Sequence, residues 1–166
     1  MTSIIAATAP TFTRPADVTA YAAGDLVANS VTAASVVVPV FTFPFGRSLQ
    51  IKHARLVKST NGVSNPAFRL NLFSVVPTFQ TAGDNGLLSA DLIGAANFIG
   101  SLSIGGSFSV GSDGAGAILL PFSNTSPYDG PIVSSTVYGI LEALAAYAPG
   151  SAETFSLTLF GEVLEA

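Results

Sequence analysis

Short β-branched and aromatic runs, cut off from one another by Gly, Pro, Asn and Asp at irregular intervals, leave this chain of 166 residues few ways to fold. Residues 36–43, 49–58, 67–76, 98–104, 107–110 and 117–122 each read as a strand, and two longer ones follow at 136–147 and 154–164. Eight or so short strands joined by turn chemistry are the mark of a sandwich or a barrel. No period of about 20 to 50 residues repeats, which argues against a solenoid or propeller. Uneven loops with long middle connections suit a two-sheet jelly roll better than an up-and-down barrel. The expected fold is therefore all-β, a jelly-roll-like two-sheet sandwich.

Several strands carry more detail. Pro39 cannot donate to a ladder, so it places 36–43 at an edge, a bend or a bulge. In 49–58 the apolar positions change parity near His53 and Ala54, which predicts a bulge there. With that strand, 67–76 makes a plausible hairpin across the Asn- and Pro-containing turn at 60–66, setting Phe68, Leu70 and Leu72 on one side and Arg69, Asn71 and Phe73 on the other. Residues 84–93 are the weakest stretch for β, a loop or short helical turn. Leu141 to Ala146 has helix propensity, but Val137, Gly139, Leu141, Ala143 and Ala145 alternate strictly with Tyr138, Ile140, Glu142 and Leu144. The flanking β segments and the Pro149–Gly150 turn favour strand.

Charge is scarce: six basic and ten acidic residues, 10% of the chain, against about a quarter in typical soluble domains. With 49% apolar residues, much of the surface must be apolar or merely small and polar, which suits a chain packed against copies of itself or a larger partner. The two long uncharged runs, 26–46 and 92–112, are broken by Pro39 and Pro44 and by five glycines respectively, so neither reads as a membrane span. No signal peptide is expected, since the N-terminus lacks a positive region. A net charge of −4 argues against nucleic acid as a partner. The nearest basic cluster is split by strand parity, with Arg47 and Arg55 on one face and Lys52 and Lys58 on the other.

Groups able to do chemistry are few. There is no Cys, and the one histidine, His53, has Lys52 and Arg55 as neighbours and no nearby carboxylate to orient it, so a hydrolase built on it is a remote third reading. The Asx-Gly steps at Asn61, Asp84 to Gly86, Asp113 and Asp129 offer no more than one carboxylate each, short of a calcium site and sufficient for turns. Asp113, Asp129, Glu142 and Glu153 are the candidates for a glycosidase pair, but the chain has no Trp to stack on a sugar. No catalytic residue, cofactor or metal site is assigned.

Residues 1–13 read as an extended arm, whose Ile4, Ile5 and Phe12 favour lying on a neighbouring subunit; a domain without them is expected to remain folded and to assemble less well. Residues 14–28 follow as a compact irregular segment with three charges, Arg14, Asp17 and Asp25, besides Tyr21. Its bland reading is an intramolecular brace, with Pro15 and Gly24 fixing turns. The chain thus divides into an arm and brace, 1–28, and a sandwich, 29–166. Ile4, Ile5, Phe12, Arg14, Asp17, Tyr21 and Asp25 are the candidate contact residues.

The string Arg14, Pro15, Ala16, Asp17, then Tyr21, then Gly24 and Asp25, resembles the opening of a group of small structural proteins of tailed bacteriophages that are similar to capsid decoration, or cement, proteins. The resemblance covers about fifteen residues and the general Ala-, Ser-, Thr- and Gly-rich β texture. It implies a non-enzymatic virion protein made in the host cytoplasm. Such a protein binds the outside of a head lattice built of the major capsid protein, often as a homotrimer at threefold positions. The alternative is a tail, collar or fibre-attachment module that binds another virion protein or a host-surface glycan. Glycan binding would require Tyr21, Tyr128, Tyr138 and Tyr147 to share an exposed groove.

Overall fold

The computed structural model describes residues 3–44, 49–60, 67–79, 83–89, 96–105, 116–121 and 135–163. Among these the chain forms ten strands and one 3-10 turn, Ala33–Ser35. The strands are β1 (Ser3–Thr8), β2 (Phe12–Thr13), β3 (Leu26–Val27), β4 (Val40–Thr42), β5 (Leu49–Lys58), β6 (Phe68–Phe73), β7 (Phe98–Ile104), β8 (Gly116–Pro121), β9 (Thr136–Ala143) and β10 (Thr154–Val163). No helix among the described residues is long and apolar enough to cross a membrane. The expected strand at 107–110 lies outside the described residues.

Two antiparallel sheets result. The first runs β1-β10-β5-β8, with β2 on the same edge of β10 as β1; the second runs β3-β9-β6-β7, with β4 beside β3 along β9. If β1/β2 and β3/β4 each count as one interrupted strand, successive strands change sheet at every step except β6 to β7. That is the connectivity of a jelly roll. Pro10 interrupts the first composite strand, and its register on β10 slips by one residue between Thr8↔Thr158 and Phe12↔Phe155.

Strand alternation decides what lies between the sheets. Phe155, Leu157 and Leu159 of β10, Phe68, Leu70 and Leu72 of β6, and Val137, Leu141 and Ala143 of β9 all belong to one buried cluster. Their neighbours in sequence point outward. A second apolar cluster, Leu26, Ala28, Val38, Phe73 and Ile140, sits on the outer face of the second sheet, with Val36, Phe79, Leu88 and Tyr138 packed on it. Segments 28–39 and 83–88 fold over that face and pair with each other through Gly83 N–H to Val31 O and Asp84 N–H to Ser30 O.

Three expectations change. The hairpin of 49–58 with 67–76 does not form: β5 is held between β10 and β8, and β6 between β9 and β7, in different sheets. Each strand has two long partners within its own sheet, and the connection between them crosses from one sheet to the other. Residues 3–13 are not a detached arm: they close the edge of their own first sheet and place Ala7 and Ala9 in the core. Deleting them would strip β10 of its partner along that edge. The stretch set apart as arm and brace also supplies strands to both sheets, β1 and β2 to the first and β3 to the second. Finally, the expected bulge is present, with Phe160 opposite His53 and Gly161 opposite Ile51, and it changes the charge pattern. Lys52 is the extra residue and lies outward, near Gln50 and Glu162, while Lys58 faces the core. Arg47 lies outside the described residues.

The stretch at 141–146 is strand as far as Ala143 and then turns. Gly139 is crowded by its own sheet's flanking strands, for a Cβ there would come within 2.7 Å of Phe41 Cε2 on β4 and 3.0 Å of Leu70 Cδ1 on β6. Gly139→Val is expected to destabilise the fold by about 1–3 kcal/mol through overpacking, read as a lower urea midpoint with an unchanged slope.

Candidate functional site

The densest polar chemistry in the described residues lies inside the sandwich. Arg14 follows directly on β2, and its side chain turns into the core with no exposed surface. Its guanidinium is saturated: Nε donates to the Tyr21 hydroxyl (3.0 Å), Nη1 to the carbonyls of Asp17 (2.5 Å) and Gly150 (3.4 Å), and Nη2 to Asp17 Oδ1 (3.0 Å) and Asp84 Oδ2 (3.2 Å). Asp84 also accepts from the Tyr21 hydroxyl (2.5 Å) and the Ala28 amide (2.8 Å). A buried cation is tolerable only when it is paired and hydrogen-bonded in this way.

Tyr21 extends the assembly. Its ring stacks on Tyr147 at 4.9 Å and 10°, Arg14 lies over the Tyr21 ring at 5.3 Å, and Lys58 Nζ lies 5.7 Å from the Tyr147 ring centre. The result is a column of cation, ring, ring, cation. Lys58 bonds Glu153 Oε1 at 2.9 Å, with both side chains buried, and Thr60 donates to the same oxygen. Two buried cations and two buried anions thus balance, and the rings between them contribute cation–π attraction.

Burial sets the acid–base behaviour of this layer. It pushes Tyr21 far up, aided by Asp84, and does the same to Tyr147, aided by Tyr21 and Glu153, so both stay phenols. Burial also works against the Arg14 charge, but the bonds to Tyr21 and Asp17 prevail and raise it further above neutral. Asp84 is raised by burial against the Ala28, Tyr21 and Arg14 donors, whereas Asp17 is lowered by the Thr19 amide and by Arg14.

The candidate contact residues separate accordingly. Arg14 and Tyr21 are buried. Asp17 and Asp25 are half-buried, with Asp17 holding Arg14 and Asp25 closing its own turn through the Ala22 amide at 2.6 Å, where Gly24 adopts φ +94°. The bland reading of 14–28 as a brace describes their contacts. Phe12 stacks on Phe155 at 5.3 Å, and Ile5 packs against the core. Ile4 alone of the seven is strongly exposed, at 72%. Tyr21 and Tyr147 do come together, but inside the sandwich and not in a groove open to a glycan; Tyr138 is half-buried on the outer face of the second sheet, and Tyr128 lies outside the described residues.

Glu142 and Glu153 do not form a pair either. Glu142 is on the outer face of the second sheet with Asn71 and Arg69, whereas Glu153 is between the sheets; Asp113 and Asp129 lie outside the described residues. His53 is half-buried on the outer face of the first sheet, opposite Phe160. Sequence reasoning missed Asp84, Lys58, Tyr147 and Glu153 as members of one cluster. A signal existed for two: the inward rows Ala54, Leu56 and Phe155, Leu157, Leu159 extend by parity to Lys58 and Glu153. No protein-family model matches the chain, and no curated protein matches it in sequence.

Asp84→Asn leaves the Arg14 cation without its buried counter-charge and is expected to cost about 3–5 kcal/mol in urea unfolding. Asp17 acts through pH. Its carboxyl titrates lower in the folded chain than the ordinary value of about 3.9, so its contribution is present above that value and lost as pH falls through the folded one. Asp17→Asn should therefore lower the urea midpoint at neutral pH, with the difference from the native chain closing on acidification.

Proposed function

We propose that this protein is a non-enzymatic structural component of a bacteriophage virion, a capsid decoration protein that binds the outside of the head and stabilises it through contacts between subunits. The observation that carries this reading is the unequal division of its surface. Among the described residues eight large apolar side chains stand exposed; Val31, Val37, Leu87 and Phe98 belong to the second sheet or to the segments folded over it, and Val75 and Val76 to the loop that follows β6. The outer face of the first sheet instead carries His53, Arg55 and the Lys52–Glu162 pair at 3.3 Å. An apolar side opposed to a polar one suits a protein seated on a larger surface, with the polar side toward water.

The jelly-roll connectivity supports the same reading, since the architecture recurs in capsid proteins, although fold alone does not fix function. A cement protein needs a stiff body and broad weakly charged contacts. The core column contributes to the first, because Arg14, Tyr21 and Asp84 at one end and Lys58 and Glu153 at the other are bonded to each other, although the Tyr147 hydroxyl and Glu153 Oε2 meet no partner among the described residues. Many symmetric sites then add their separate binding free energies.

The test is co-sedimentation of the purified full chain with undecorated head shells of the phage that encodes it. Saturable pelleting that survives moderate salt is expected, because the contact surface is mostly uncharged. A protein that stays in the supernatant at all shell concentrations would overturn the reading.

A further inference from the structure

We propose that β1 is a docking strand for a second copy of this chain, pairing antiparallel with the partner's β1 about a two-fold axis. The inference rests on the reading above only in treating the protein as one that works through contacts between subunits; the edge itself supplies the argument. A sheet edge offers unpaired amides and carbonyls, and proteins that stay single protect such edges with prolines, bulges, charges, shortness or cover.

Three of the four edges here carry a protecting feature. β8 ends in Pro121, which cannot donate to a further strand. β7 contains a register shift opposite Leu72 and Phe73. β3 and β4 are two and three residues long, and Leu26 of β3 is already engaged by Gly86 O and by the Asn85 amide.

Among the described residues β1 itself has none of these features, since Pro10 and the register slip of this edge lie beyond its end at Thr8. It holds an unbroken six-residue register on β10, and no residue from 1 to 13 is charged. The Ala9 amide donates to Leu157 O, so by antiparallel alternation the odd residues of this strand bond to β10. The N–H and C=O groups of Ile4, Ala6 and Thr8 therefore point away from β10, and no described residue meets them.

The chemistry of the row favours a copy of itself. Ile4, Ala6 and Thr8 are exposed and uncharged. A two-fold axis at Ala6 sets Ala6 opposite the partner's Ala6 and Ile4 opposite the partner's Thr8, which brings small and apolar groups together and opposes no like charges. The one carboxylate beside the row, Glu162 opposite Ile4, is already neutralised by Lys52. The joined first sheets would become one continuous sheet with the outward polar faces on the same side.

The test is the solution mass of the full chain over a concentration series by light scattering, together with Ala6→Pro and Ile4→Lys. Proline at position 6 removes an amide that faces the open side and leaves the β10 bonds in place, so its own fold should survive, which circular dichroism checks. A dimer whose mass falls by half in Ala6→Pro, with Ile4→Lys raising the dissociation constant at least tenfold, is expected. A native monomer, a trimer, or a dimer unchanged by both folded variants would overturn the proposal. Shell binding is scored separately: a monomeric Ala6→Pro chain that still pellets with shells leaves the decoration reading standing, and a dimer that ignores shells removes that reading and not this one.

Discussion

The rest of the structure depends on a buried cation, Arg14, and on the column of rings and charges that makes its burial possible. Arg14 is anchored at once to Asp17 in its own segment, to Asp84 in the loop that crosses the second sheet, and to Gly150 at the turn before β10. Its backbone amide adds a bond to Glu153 O. At the far end of the column, Lys58 and Glu153 join β5 to the start of β10. Segments far apart in sequence are fixed to one another by groups that would be costly to leave unpaired, so the assembly is cooperative: removing one member leaves another buried and unmatched.

That column accounts for the economy of charge elsewhere. Two of the six basic residues and two of the ten acidic ones are spent inside the sandwich. Among the described residues, Lys52, Arg55 and Glu162 lie outward on the first sheet, and the second carries one ion pair, Arg69 with Glu142, beside an apolar surface. A free monomer with such a face would be prone to associate. A subunit seated on a lattice would bury the same face, and the low charge that looks like a liability in solution becomes suited to contact.

Much of the fold was legible in the chain. Alternation in 67–76 and 136–143 assigned the inward and outward rows correctly, because the side-chain period of a strand is two whatever its partners. The bulge in β5 was visible as a change of parity, and it fell within two residues of the expected place. The hairpin of β5 with β6 was not legible as false, since a short turn between two good strands is compatible with pairing or with crossing to another sheet. The candidate contact residues suffered a similar ambiguity. An Arg, Asp and Tyr near the N-terminus serve a partner or a brace equally well until Asp84, some seventy residues away, is known to meet them.

The sequence by itself determined that this chain is all-β, where its strands begin to alternate, and that it has too few charges to cover its surface. Those properties follow from local chemistry: β-branched and aromatic runs, turn residues, and a count of ionisable groups. Only the tertiary structure decided which strands pair, that residues 3–13 complete their own sheet, and that Arg14, Tyr21, Tyr147 and Lys58 form one column between Asp84 and Glu153. Pairing and burial of charge are settled by long-range competition for partners, where the free energy of a contact depends on every other contact made at the same time, and no local pattern encodes that sum.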